Sequence, residues 1–315
     1  MNARRFFYLS NQTPVNKLWL VFFRCSVSAL IVLNFASMQA DFNDIFSANS
    51  YIPPDINNVL RSHLLPSIYG VYRSLSPTFH LSYTAVLLTF RIAYPVALLM
   101  LFAGLFTRIS AAIALILQLI ILNSMDLYSY GFDAFTTIAL FYCVVFPVGT
   151  DFSLDAHLFK NRRKGANNNQ FLWILRAHIC IIYFFSGFEK LLGYNWRNGE
   201  SIWKMVHGYN MLSFIDLDFL YKTPIFLIAG WGTIIVEMFY PLFINIHKTR
   251  KAWLIATIGF HVMIAFFMGL YFFSAMMIIF SVTTYYIPFT TRVPQANGTP
   301  EPISNTKQFE LNNAA

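Results

Sequence analysis

The chain has 315 residues, 57% hydrophobic and only 11% charged, with 34 Phe and a formal net charge of +8. A soluble domain carries about 25% charged residues, so this composition excludes a soluble globular protein and points to an all-α, polytopic membrane helix bundle. The positive excess requires no nucleic acid, because its distribution along the chain follows the pattern of a membrane protein.

Eight apolar segments follow in chain order, at about 18–39, 81–105, 109–125, 131–149, 171–192, 223–245, 252–268 and 270–289. Roughly 20 apolar residues rising 1.5 Å each cross the ~30 Å hydrocarbon core, so about eight transmembrane helices are expected. The third, fourth and seventh segments are the short ones. Two long connections, 41–80 and 193–222, are rich in aromatics. In the second, Ile202, Met205, Val206 and Tyr209 follow helical spacing, and Trp196 and Trp203 suit the headgroup level. This predicts a short interfacial helix. Pro53 and Pro54 break the first connection before a similar amphipathic piece. Residues 1–290 read as the membrane domain, and 291–315, rich in Asn, Pro and Thr, read as a disordered cytoplasmic tail. Arg24 interrupts the first apolar run and Met38 occupies the −3 position before Ala40, so no cleaved signal peptide is expected.

Basic residues set the expected orientation, since cytoplasmic loops are enriched in Lys and Arg. With the N-terminus inside, 13 basic loop residues fall on the cytoplasmic side, including the cluster at 160–164 and Lys248, Arg250 and Lys251, against 5 on the other. Both termini are therefore expected in the cytoplasm.

Arg24, Arg91, Arg176, Glu189, Lys190, Glu237, His178 and His261 lie within the apolar segments. An ionisable side chain at mid-membrane costs roughly 2.5–3.5 kcal/mol on insertion scales, so each needs a partner, a route to water or a job. Arg24, Arg176 and His178 sit near the inner ends of their spans and are expected to snorkel to water. Arg91, Glu237 and His261 lie deeper and are expected to form one buried polar cluster, with Arg91 or His261 as the cationic partner of Glu237. That cluster reads as a packing device or as a proton path or pocket end. On the fifth segment Arg176, Tyr183 and Lys190 recur every seven residues, with Ser186 one turn before Lys190, so they share a face. Glu189 is about 100° away from Lys190 around the helix and cannot pair with it. Near the outer boundary, Lys190 either snorkels or is desolvated enough to act as a base. On the sixth segment Gly230, Thr233, Glu237 and Tyr240 form a stripe, and Gly230 and Gly232 suit close helix approach.

No phosphate-binding Gly-rich loop, G-x-S-x-G or H-E-x-x-H is present, and the loop histidines suggest no metal site. Cys25, Cys143 and Cys180 lie in separate segments without a C-x-x-C pair and read as small hydrophobes.

Three stretches carry a resemblance. Residues 98–108 end in G-L-F-T-R; Gly131-Phe132-Asp133 is followed by Pro147-Val148-Gly149 and Ser153-Leu154-Asp155; and residues 183–199 read Y-F-F-S-G-F-E-K-L-L-G-Y-N-W-R-N-G. Their order and spacing resemble the HTTM (horizontally transferred transmembrane) domain family, similar to the membrane domain of vitamin K-dependent γ-carboxylases. The resemblance implies that Lys190 matches the proposed base of those enzymes, with a reduced quinone as co-substrate, and that the membrane is the bacterial inner (cell) membrane. Two departures are visible: residues 123–133 hold no His, and no large soluble segment follows the last span. Full γ-carboxylation is therefore not expected. The leading expectation is a membrane protein that modifies a lipid-soluble or peptide substrate at the non-cytoplasmic side, with Lys190 as base and Tyr183, Ser186, Glu189 and Trp196 lining the site. The alternative is a non-enzymatic protein that transports, exports or binds a peptide or protein partner.

Overall fold

The computed structural model describes residues 17–60, 65–159, 168–207, 218–220 and 223–290. The expected tail, 291–315, and the basic cluster at 160–164 lie outside the described residues.

Among the described residues all regular structure is helical. In chain order the elements are α1 (Leu18–Ser37), α2 (Phe42–Phe46), α3 (Pro54–Leu60), α4 (Ile68–Phe79), α5 (Tyr83–Ala103), α6 (Thr107–Ser124), α7 (Gly131–Val145), α8 (Leu154–Leu158), α9 (Asn169–Leu192), α10 (Tyr194–Arg197), α11 (Glu200–Val206), α12 (Ile225–Met238), α13 (Tyr240–Phe243), α14 (His247–Met268) and α15 (Tyr271–Ser281). A π-helical turn, Val282–Tyr286, and α16 (Ile287–Thr290) close the series. Five helices, α1, α5, α6, α9 and α14, are long and apolar enough to cross a membrane, and three shorter apolar helices, Gly131–Val145, Ile225–Met238 and Tyr271–Tyr286, complete the eight apolar segments. Two boundaries differ from expectation. The seventh segment is a full 22-residue helix, because the polar run His247–Lys251 is its first turn rather than a loop. The sixth divides at Phe239 into α12 and α13, with Pro241 in the first turn of α13.

Two groups of helices pack around α1 and α15. On one side α1 contacts α5 and α7, and α6 lies between α5 and α7. On the other side α9 packs on α12 and α13, and α14 on α15. Helix α1 presents Trp19, Phe23, Val27, Ile31 and Phe35 to this core at spacings of four residues, and α15 meets it through Phe280 against Phe23. The opposite faces are apolar and open, for example Leu88, Ile92, Val96 and Leu99 on α5. An open apolar face of this kind is what a helix shows to lipid.

The first long connection is packed. The Tyr83 hydroxyl donates to the Phe46 carbonyl (2.7 Å), the Asn57 amide to Ser124 O (2.5 Å), and the Ile68 N–H to Ser124 Oγ (2.8 Å). These bonds lay α2–α4 over the ends of α5 and α6.

At the other end of the same helices, residues 104–107 and 148–155 interlock. Both Asp155 oxygens are used: Oδ1 accepts from the Phe106 N–H (2.8 Å), and Oδ2 accepts from the Thr107 N–H (2.8 Å) and hydroxyl (2.7 Å). A buried carboxylate thus satisfies the first orphan donors of α6. Gly104 ends α5 at φ +72°, and a side chain there would meet Ser153. Arg24 also belongs here, which corrects the snorkelling expectation. It is 1% exposed and donates to Val148 O (2.7 Å) and Phe152 O (2.6 Å). The carbonyls of the loop satisfy it more closely than water at the boundary could.

Candidate functional site

Helices α9 and α12 cross at Gly187. A Cβ at this position would collide with the Met238 backbone, so only glycine lets the two helices approach this closely. The residues on either side of the contact meet as a result. Lys190 Nζ lies 2.7 Å from Glu237 Oε2 and donates to Ser186 Oγ at 2.6 Å. The Lys190 side chain is 19% exposed and that of Glu237 8%. Burial penalises both charges, and mutual pairing at hydrogen-bond distance is the arrangement in which both survive it.

This ammonium is tied to side chains of the bundle and stays only partly open to water. The chain turns back after α9, and α10 and α11 lie against α12. Gly230 admits the Trp196 carbonyl next to its Cα, and the Trp196 indole covers Lys190 with Nζ 5.0 Å from the ring. Lys204 closes on Glu200 in α11 (2.6 Å), and this hydrogen bond holds the Glu200 carboxyl below its ordinary range. Gly232, unlike Gly230, faces open space and is not a contact glycine.

Two turns along α9 from Lys190, the Tyr183 hydroxyl lies 2.6 Å from His261 Nε2, and the Tyr183 ring stacks on Tyr240 at 4.1 Å. Tyr183, Tyr240 and His261 are all buried. The structure therefore brings together Lys190, Ser186, Glu237, Tyr183, His261 and Trp196. It does not bring in Arg91, which donates to Gln39 (2.7 Å) and lies over the Phe42 ring (5.0 Å) on the far side of α1. The expected Arg91–Glu237–His261 cluster is corrected accordingly: the cation beside Glu237 is Lys190. Glu189 is exposed on the neighbouring face of α9 and shapes no part of the cluster.

The other two inner-end residues are also held by protein. Arg176 Nε donates to Thr284 O (2.9 Å), a carbonyl of the π-helical turn, with the guanidinium over Tyr285 (5.2 Å). His178 Nδ1 meets the Tyr142 hydroxyl at 2.5 Å. Neither snorkels. Tyr240 appeared in the sequence only as the end of a stripe, and Tyr285 and Ser281 carried no signal, since one more hydroxyl in an aromatic-rich span is unremarked without its neighbours.

Chemically, the cluster can hold one proton between an amine and a carboxylate and pass it to a group bound under Trp196. Among the described residues no three His, Cys, Asp or Glu side chains converge as a metal site would require. The profile of the HTTM domain matches residues 59–288, well over half of the chain. No curated protein and no solved structure matches it.

Proposed function

The chain belongs to the HTTM domain family and is an integral membrane protein, and from that premise we propose that Lys190 and Glu237 form the acid–base unit of a membrane-embedded enzyme. The unit acts at the non-cytoplasmic side on a lipid-soluble or peptide substrate, with both termini in the cytoplasm. The observation that carries this reading is the 2.7 Å Lys190–Glu237 contact, roofed by an aromatic ring and still one-fifth open on the lysine side. Transfer of the Nζ proton to Glu237 Oε2 leaves a neutral amine, which can take a proton from a substrate held against Trp196. Ser186 keeps Nζ on the line to Glu237 by accepting its second hydrogen bond.

A reduced quinone fits the donor set, because Trp196 offers a ring face and Lys190 a partly open polar atom beside it. When bound, such a molecule would supply a phenolic proton and reducing electrons. The residues that would hold it are Trp196, Lys190 and Ser186.

The test is extraction of the full chain in polymer nanodiscs, followed by mass spectrometry of the lipid-soluble molecules retained. A quinone enriched with the natural chain and lost from Lys190→Met supports the proposal. The same retained molecules in both, with a protein or peptide partner held equally well, would replace it with the non-enzymatic export or partner-binding role.

A further inference from the structure

The stripe of α9 that ends at Lys190 continues inward as a file of buried and half-buried polar groups. Lys190, Tyr183, Cys180 and Arg176 lie on one face, and from Lys190 to Arg176 the helix rises on the order of 21 Å at 1.5 Å per residue. Four other elements complete the file. His261 of α14 meets the Tyr183 hydroxyl (2.6 Å), and Tyr240 of α13 stacks on Tyr183 and stands edge-on to Tyr285 at 6.1 Å. Ser281 at the end of α15 neighbours both Tyr183 and Tyr240. The Tyr285 hydroxyl lies 3.4 Å from both Cys180 Sγ and Asn245 Oδ1. Arg250 closes the inner end, donating to Ile244 O (3.0 Å) and Asn245 O (3.1 Å).

Among the described residues, no partner lies within direct hydrogen-bond distance of three atoms along this file: the Tyr240 hydroxyl, Ser281 Oγ and His261 Nδ1. Their residues are 0%, 0% and 2% exposed. Buried polar atoms are nearly always satisfied, and an internal water with two to four polar neighbours is the usual supplement. Of the ten such unsatisfied atoms among the described residues, these three lie along one file that leads from the charged pair toward the basic end of the bundle.

We infer that internal waters at Tyr240, Ser281 and His261 turn this file into a proton route between the Lys190–Glu237 pair and the bundle face at Arg176 and Arg250. A tyrosine, serine or water relays a proton by accepting one on a lone pair and releasing its own, and His261 does so by taking one ring proton and giving up the other. No group ends a passage changed, so no oxidant or other reactant is needed. Of the charged groups that face the file, Glu237 is the carboxylate, and Lys190, Arg176 and Arg250 are the cations. The ammonium of Lys190 closes the outer end by repelling an arriving proton. The inference rests on the pair being a proton site, as proposed above, but not on any turnover.

The test uses the full chain in liposomes that enclose a pH-sensitive dye, with a potassium diffusion potential driving protons inward. Lys190→Gln removes the closing charge and is expected to raise proton entry several-fold over the natural chain. Adding Tyr240→Phe keeps the ring stack, deletes one hydroxyl and is expected to return entry to the starting level. No rise in the first variant, or an undiminished rise in the second, would overturn the route. Should Lys190→Gln not fold, the unaltered protein decides. Millisecond X-ray radiolysis of bound water is expected to hydroxylate Tyr183 and Tyr240 as fast as exposed tyrosines, and unmodified rings there overturn the route. Neither readout involves a substrate, so their failure leaves the acid–base reading standing, while unchanged quinone retention in Lys190→Met would sink that reading alone.

Discussion

Two charged clusters interrupt this apolar bundle, and they are satisfied in opposite ways. Arg24 and Asp155 bond mainly to backbone: Arg24 donates to the carbonyls of Val148 and Phe152, and Asp155 accepts from the N–H groups of Phe106 and Thr107 as well as from the Thr107 hydroxyl. Each closes a loop or a helix end that would otherwise leave orphan groups in a low-dielectric surrounding. Lys190 and Glu237 instead bond to side chains, beside His261 and Tyr240 atoms that have no partner. Charge spent on backbone builds the fold. Charge that meets only side chains is what the proposed acid–base role requires.

In the proposed topology the two clusters lie toward opposite sides of the membrane, and this gives the largest expected effect. With Cys25, Cys143 and Cys180 replaced, Lys204→Cys is expected to react with an impermeant maleimide on intact cells, and Lys248→Cys only after permeabilisation. The reverse pattern would invert the bundle and move the acid–base pair to the cytoplasmic side.

Asp155→Ala removes the acceptor of three hydrogen bonds and leaves one buried and one part-buried N–H group empty. The expected loss is about 3–4 kcal/mol, read as thermal unfolding in detergent. A variant as stable as the parent would erase the structural character given to this cluster.

Gly187→Val forces α9 away from Met238 and is expected to cost about 2–3 kcal/mol by overpacking. It separates Lys190 from Glu237 as well, so retention of a bound lipid-soluble molecule should fall further than stability does. Equal retention at reduced stability would show that the close contact serves packing alone.

The smallest effect sharpens the contrast most. Glu237→Gln strands a lysine that is partly open to water, so its cost is expected near 1–2 kcal/mol, below that of a fully buried pair. Lys190→Met combined with Glu237→Leu should then recover close to the parent's stability, because two apolar side chains leave no charge uncompensated. Double variants of this kind at Arg24 and Asp155 should not recover, since their backbone partners remain. If the Lys190–Glu237 double variant is the less stable of the two singles and the double, the pair is a structural element like the other.

Much of the architecture was legible before any coordinates. The spans appear as apolar runs, and the 3.6-residue period placed Arg176, Tyr183 and Lys190 on one face. The motif residues were legible as a set while their work was not. Asp155 looked like part of a signature and proves to be a helix cap; Gly187 looked like a small residue in another and proves to be the contact point of two helices. Partner choice was not legible at all. Glu237 could reach any cation in the bundle, and nothing in a linear pattern says that α9 and α12 are neighbours or that Arg91 lies across α1.

By itself the sequence determined what depends on local composition and period: which stretches leave water, how long they are, and which residues share a helix face. Those follow from transfer free energy and helix geometry, which act within one segment. Only the tertiary structure decided which charges meet. Removal from water makes every buried ion seek a counter-group, but the identity of that group is set by helix order, by the glycines that permit close approach, and by the turn that folds Trp196 back over Lys190.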